Sequence, residues 1–439
     1  MPRAALRLLC TAAVLLGGPT AGAQAGEWGE FRSGGDNRGV SSTTLDARWD
    51  VQVGQPVRAL SVSGHVLVAA ADRSGTVMAI DLPTGRMLWR QRMPTSVHND
   101  PVISDSTVVV TFGDLPQDSS AGGAWAFDVR DGHELWRHPI RSALMASPAL
   151  VGHIVVLTGS DDCVYGLALR SGQQLYRTCI AMSPAMSNPK RLGTSVFYGT
   201  TDGRVVAING TSGAVQWVHR LPMVQHAGDA TVAVGDGALF ITGTSWSGFR
   251  PFLRDTSLWS GLRTVIDAFV HDRFADRSVL FARQRAVRLS ASDGEIQWST
   301  ELSSGRRVTR NLSGTPALAG SHVVVSSPVG SNLTALNAAT GAKEWVVALP
   351  SRHRGVPTIF GDTVLVGLES GALLAFDLRT GRLLGHCSWT GRFTPSAPLI
   401  VGQTIIYGAT DGILRAVPMR DVRAALRRGG ACVPGIASP

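Results

Sequence analysis

Lysine is almost missing from this 439-residue chain. Lys190 and Lys343 are its only copies, and arginine carries the formal charge of +9. No block of basic residues appears: Arg306–Arg307 and Arg427–Arg428 are the only arginine doublets. That excludes a basic tail and gives no reason to expect a nucleic-acid partner. Charged residues make up only 17% of the chain against 44% hydrophobic, which excludes a disordered polyelectrolyte. Beyond residue 25 no apolar run approaches the roughly 20 residues of a bilayer-spanning helix, so no transmembrane segment is expected. Phosphate-loop, G-x-S-x-G, H-E-x-x-H and EF-hand patterns are all missing, and no two cysteines are adjacent.

The N-terminus has the form of an export signal. Arg3 and Arg7 precede the apolar stretch Leu8–Leu16, and Ala21-Gly22-Ala23 provides a cleavage site, so residues 1–23 are read as a signal peptide. Cys10 lies inside the apolar stretch behind Leu9 and is expected to leave with it. A periplasmic or secreted chain is expected, with a leader segment at 24–46 and four remaining cysteines in an oxidising compartment.

What is abundant is glycine, 50 residues, and much of it is periodic. Segments such as GTVMAIDLPTGRMLW (Gly75–Trp89), GGAWAFDVRDGHELW (to Trp136), GRVVAINGTSGAVQW (to Trp217) and SNLTALNAATGAKEW (to Trp345) share one form. Turn glycines fall at Gly85, Gly132, Gly172, Gly213, Gly294, Gly341 and Gly381, 40–47 residues apart except for one interval of 81. Such a period marks propeller blades, and the long interval holds a blade plus an insertion. Alternation at Val77, Ala79 and Asp81 suggests a strand with one apolar face, the T-G or D-G dipeptide a hairpin turn, and the following Trp an outer strand. An eighth copy, from Gly412, lacks its closing strand after Met419. The orphan segment Arg48-Trp49-Asp50-Val51-Gln52 ahead of the first blade can supply it. The expected fold is all-β: an eight-bladed propeller over 47–420, closed by its N-terminal strand and followed by a C-terminal tail at 421–439.

The pattern A-x-D-x-x-T-G-x-x-x-W, complete in Ala79, Asp81, Thr84, Gly85 and Trp89, resembles the tryptophan-docking repeat of pyrroloquinoline-quinone (PQQ) type propellers over roughly residues 28–420. The resemblance implies either of two branches: PQQ-dependent dehydrogenases or a non-enzymatic, BamB-like branch. Dehydrogenases of the first kind are implied to carry a bound cation, a catalytic Asp and a vicinal cysteine pair, and the last is missing here.

Segments entering each blade should rim the central channel. They bring His98, Asp100, His226, Asp229, His353 and Arg354, which could hold a ligand or cofactor. The simpler reading is a solvated polar channel, because these histidines are spaced a blade apart and form no metal motif. No catalytic residue and no metal ligand is assigned.

The insertion, 247–277, is expected to be helical. Leu258, Leu262, Val265, Ile266, Phe269 and Val270 recur at helical spacing after Ser257. Trp246, Phe249, Phe252, Trp259 and Phe269 make it aromatic, and it is the first candidate for a partner-binding surface. Cys163 and Cys179 flank a hairpin turn nearly symmetrically and should form a disulfide, leaving Cys387 to pair with Cys432. The expectation is a monomeric, non-catalytic scaffold that binds protein partners in the cell envelope and needs no cofactor. The alternatives are a PQQ- and Ca2+-dependent dehydrogenase and a sensor that binds a small ligand in the channel.

Overall fold

The computed structural model describes residues 40–41, 44–71, 74–104, 106–113, 122–180, 186–247, 281–306, 314–351, 353, 355–389, 391, 393, 398–429 and 431–432. Eight sheets follow one another along the chain, seven of four strands and one of five. Blade one runs from its inner strand Val57–Ser63 through Val66–Ala71 and Thr76–Asp81 to the outer strand Met87–Arg92. Blade eight takes Leu399–Val401, Thr404–Gly408 and Ile413–Pro418 from the C-terminal end of the chain and Trp49–Gln52 from the N-terminal end. Trp49 lies opposite Ala416 and Gln52 opposite Ile413 in that antiparallel pairing, so the ring closes as its sequence requires. A further short strand, Val40–Ser41, adds in parallel to Leu399–Val401.

The repeat motif has a physical account at each position. In blade seven, Asp377 Oδ1 accepts from the Thr380 backbone N–H at 2.8 Å and from its hydroxyl at 2.6 Å. This side chain fixes the turn, and the hydroxyl bond holds the carboxyl below its ordinary range. Asn337 makes the same pair of bonds with Thr340 in blade six. The turn glycine has a second task besides its left-handed backbone. Gly85, at φ +73°, is the floor on which Trp49 of the preceding blade rests, and a Cβ there would stand 2.6 Å from the ring. The indole N–H of Trp49 then donates to Leu82 O at 2.8 Å. Trp89, Trp136 and Trp345 donate in the same way to Val129, Leu169 and Leu378 carbonyls at 2.7–2.8 Å. Tyr176 does so with its hydroxyl, to Gly210 O at 2.9 Å, and burial keeps that phenol protonated far above its ordinary range.

One expectation is corrected. The third strand of blade one is not apolar on a single face, since Thr76 to Ile80 are all buried. Neighbouring blades cover both faces of each inner sheet, which removes the alternation expected of a half-solvated strand. The tail also holds an element not foreseen, the helix α1, Met419–Arg428. Its buried residues Met419, Val422, Ala425 and Leu426 join the core shared by blades seven and eight. Both disulfides form as read: Cys163 and Cys179 are register partners, and Cys387 joins Cys432.

Candidate functional site

Because blades one to seven are antiparallel meanders, their turns divide between two faces of the ring. One face carries the turns between first and second and between third and fourth strands. The opposite face carries the blade-to-blade loops and the turns between second and third strands. The described rim residues predicted from the sequence lie in loops of this second face, and the second and third strands of blade five, between which the insertion falls in sequence, meet it as well.

The blade-to-blade loops enter each inner strand through a recurring position, often ahead of proline. The side chains there bind the neighbouring blade. Asp100 Oδ1 accepts from Leu60 N at 2.9 Å, and the adjacent Ser61 hydroxyl donates to Pro101 O at 2.6 Å. Asn188 Oδ1 accepts from Ser147 N at 2.6 Å, while its amide donates to Thr231 Oγ1 at 2.8 Å. Thr231 N donates to Thr315 Oγ1 at 3.2 Å. Thr111, Thr242 and Thr358 hydroxyls donate to Ala146, Gly314 and Pro398 carbonyls at 2.6–2.9 Å. Polar side chains thus stitch the inner strands where no regular ladder connects them.

This changes the reading of Asp100. It is 5% exposed and serves as a link between blades one and two. Replacing it with alanine is expected to leave the Leu60 N–H buried without that acceptor and to cost about 1–3 kcal/mol, whereas Asp100→Asn keeps the acceptor and most of the stability. Urea unfolding of the two variants checks this; equal losses would show that the carboxylate charge matters and the link does not.

The other rim residues occupy separate settings. His226 Nδ1 stands 3.0 Å from Thr201 O and its Nε2 3.2 Å from Asp229 Oδ2, so carbonyl and carboxylate hold the ring from both sides. His98 Nδ1 lies 3.5 Å from Arg58 NH1, across the boundary between blades one and two. His353 is buried, at 2% exposure. Arg354 lies outside the described residues. Next to Thr201, Asp202 joins Asp161 and Asp162 in an acidic stretch on blades three and four; burial first, and then the two neighbouring carboxylates, raise Asp162. Among the described residues no group of three or more His, Cys, Asp and Glu is arranged to hold a metal ion.

Among the described residues the second to fourth strands of blade five are the longest. Ala238–Ser247 and Phe281–Ser290 have 10 residues each and Ile296–Arg306 has 11, against 5–7 for the second to fourth strands of the other blades, bar the closing Trp49–Gln52. Within this longer ladder Thr244 lies opposite Gln284 and bridges back to His226. The insertion leaves from this ladder. Phe249, Phe252, Trp259 and Phe269 lie outside the described residues, as does the helical stretch read at 257–274; Trp246 is described only as a strand residue. No helix among the described residues is long and apolar enough to cross a membrane.

Sequence reasoning missed Asn188, Thr231 and Thr315, although Asp100-Pro101, Ser147-Pro148, Asn188-Pro189 and Thr315-Pro316 recur at blade spacing.

Comparison with known proteins adds a family and relatives. A family model described as outer membrane protein assembly factor BamB matches residues 36–193, 148–299, 201–393 and 282–425. Tetrathionate hydrolase of Acidithiobacillus ferrooxidans is 21% identical over 373 residues, 78% of this chain and 69% of that protein. BamB of Yersinia pestis is 24% identical over 366 residues, 80% of this chain and 81% of that one. The crystal structure of BamB from Moraxella catarrhalis is similar with a TM-score of 0.61 and 20% identity, covering 86% of this chain and 97% of the other. At such identities the structural likeness speaks for the fold, and function rests with the site.

Proposed function

The chain belongs to the family described as outer membrane protein assembly factor BamB, and from that premise we propose that it is an exported, non-catalytic scaffold that supports assembly of outer-membrane proteins in the cell envelope. The observation that carries this reading is the engagement of the channel rim in architecture. The Asp100 carboxylate binds the backbone of blade one, and Asn188, Thr231 and Thr315 bind one another's blades. A PQQ–Ca2+ site needs carboxylates turned to a cation and a wall for the quinone. Two features speak for the non-catalytic reading: Asp100, one of the rim carboxylates, accepts from Leu60 N, and the chain has no adjacent cysteines. A rigid ring with two loop faces, one bearing the extended blade five, suits recognition of protein surfaces.

The reading is tested in the native host. A strain lacking the chain should show reduced β-barrel proteins in its outer-membrane fraction, restored by the wild-type gene, and the mature protein should begin near Gln24 by N-terminal sequencing. Unchanged barrel levels would overturn the role. So would turnover by the purified protein, either of alcohols with PQQ, Ca2+ and a dye acceptor or of tetrathionate.

A further inference from the structure

The ring has one boundary built differently from the rest. In blade seven the position that carries tryptophan in other blades, or Tyr176 in blade three, is Gly385. Blade eight draws its outer strand from the other end of the chain, so it offers no third-to-fourth hairpin glycine for such a ring to rest on. The helix α1 occupies the place instead. A Cβ on Gly385 would stand 2.1 Å from Leu426 O, so only glycine lets the helix backbone lie directly on the strand. The Cys387–Cys432 bond ties the segment beyond the helix to the same strand.

This packing leaves a cavity of about 200 Å3 between α1 and blade seven, lined by Phe360, Leu365, Leu384 and Leu426 with Arg423 and Arg427 at its lip. The two arginines are spaced i, i+4 and share one helix face. Both are exposed. The Arg423 guanidinium stands 5.7 Å from the Phe360 ring. Two other charges of the helix are paired, Arg420 with Asp46 and Asp421 with Arg48 at 2.5 Å, and Arg428, which does not line the cavity, adds a third exposed arginine to this end of the helix. Among the described residues no carboxylate pairs with Arg423 or Arg427.

We propose that this groove docks an acidic peptide segment of a protein partner: one bulky apolar side chain enters the cavity, and carboxylates flanking it pair with Arg423 and Arg427. The volume selects this occupant. Small-molecule sites span roughly 300–1,000 Å3, whereas this cavity suits a single Leu, Met or Phe anchor, the unit by which interfaces concentrate binding energy. Arginine forks recognise carboxylates bidentately, which supplies the charge match. A bilayer surface would meet the arginines and leave the cavity unfilled. The proposal rests on the scaffold reading and adds to it where, and with what chemistry, one partner binds.

The experiment uses the full mature chain and a short fluorescein-labelled peptide with a central Phe flanked by glutamates. The controls replace Phe with Ala, or the glutamates with glutamines. Binding by anisotropy should weaken with salt, and each control peptide should bind roughly tenfold more weakly or worse. The double variant Arg423→Glu, Arg427→Glu should lose the peptide while keeping its circular dichroism spectrum and melting temperature, because both side chains are exposed. Leu384→Gln, at a second exposed lining position, should weaken binding by itself. No binding by the wild type, equal binding by the double variant, or binding only to phosphatidylglycerol vesicles would each overturn the groove. The last would assign the arginines to a membrane surface. Normal outer-membrane barrel levels in a strain carrying the double variant would likewise tell against the groove and leave the scaffold role standing, since that role is read by deletion of the whole chain.

Discussion

Trp49→Ala should destabilise the protein by about 3–5 kcal/mol, the range for removing a buried tryptophan. That is a large share of the roughly 5–15 kcal/mol that separates a typical fold from its unfolded chain. The ring of Trp49 is 8% exposed and packs in one core with Val57, Leu67, Ile80 and Leu414. Its N–H bond to Leu82 O and its seat on Gly85 fasten blade eight to blade one. The consequence reaches beyond one contact. Trp49 stands on the strand that completes blade eight, so loosening it would expose Ile413–Pro418 as an unpaired edge, and aggregation during refolding should follow. Trp217→Ala supplies the comparison. Trp217 is only partly buried and donates to Ala291 O at 3.3 Å, so its loss should cost less. Urea midpoints of the two variants, followed by far-ultraviolet circular dichroism, decide the matter. Equal destabilisation would mean that the closing boundary is no more strongly held than the others.

The same tryptophan shows why so much of the fold was legible in the sequence. Trp49, Gly85, Asp81 and Thr84 recur because one boundary geometry is repeated around the ring, and repetition turns a local requirement into a period. The closing strand was legible for a related reason: a blade short of one strand and a strand short of a blade account for each other. The rim was harder to read. Asp100, Asn188, Thr231 and Thr315 occupy equivalent places, yet they differ in residue type, because any side chain with an oxygen or amide can bridge two inner strands. Charge and histidine drew attention to Asp100 and His226, while the uncharged members of the same ring passed unnoticed.

Helix α1 escaped for a different reason. It follows Pro418 directly, has no side-chain N-cap, and carries only one turn and a half of amphipathic pattern beyond Met419. Such a segment has little helical stability of its own. It becomes a helix because Gly385 admits its backbone and because the core around Ile405 and Tyr407 accepts Val422 and Leu426. Tertiary packing decides the conformation there, and a reading of local pattern cannot see it.

That dependence gives the second large effect. The Cys387–Cys432 bond closes a segment with a sequence separation of 45, and the loop-entropy relation assigns such a closure about 4 kcal/mol, against about 3 kcal/mol for the separation of 16 at Cys163–Cys179. The longer bridge is also the more consequential in kind. Cys163 and Cys179 face each other within a hairpin already paired by its ladder, so their loss should lower stability and leave the blade's shape unchanged. Cys387 and Cys432 are both fully buried and join a blade to the segment beyond α1, where Ala431 bridges Ser388 and the Cys432 N–H donates to Ser388 O at 2.9 Å. In the double variant Cys387→Ala, Cys432→Ala, hydrogen exchange at 419–428 should quicken well before global unfolding, with the other blades unaffected. The acidic peptide should bind more weakly in proportion, since the groove exists only while the helix lies on blade seven. Unchanged exchange in the helix would show that its buried face alone holds it in place. Fast exchange in the helix with undiminished peptide binding would separate the arginines from the cavity and leave charge as the whole basis of recognition.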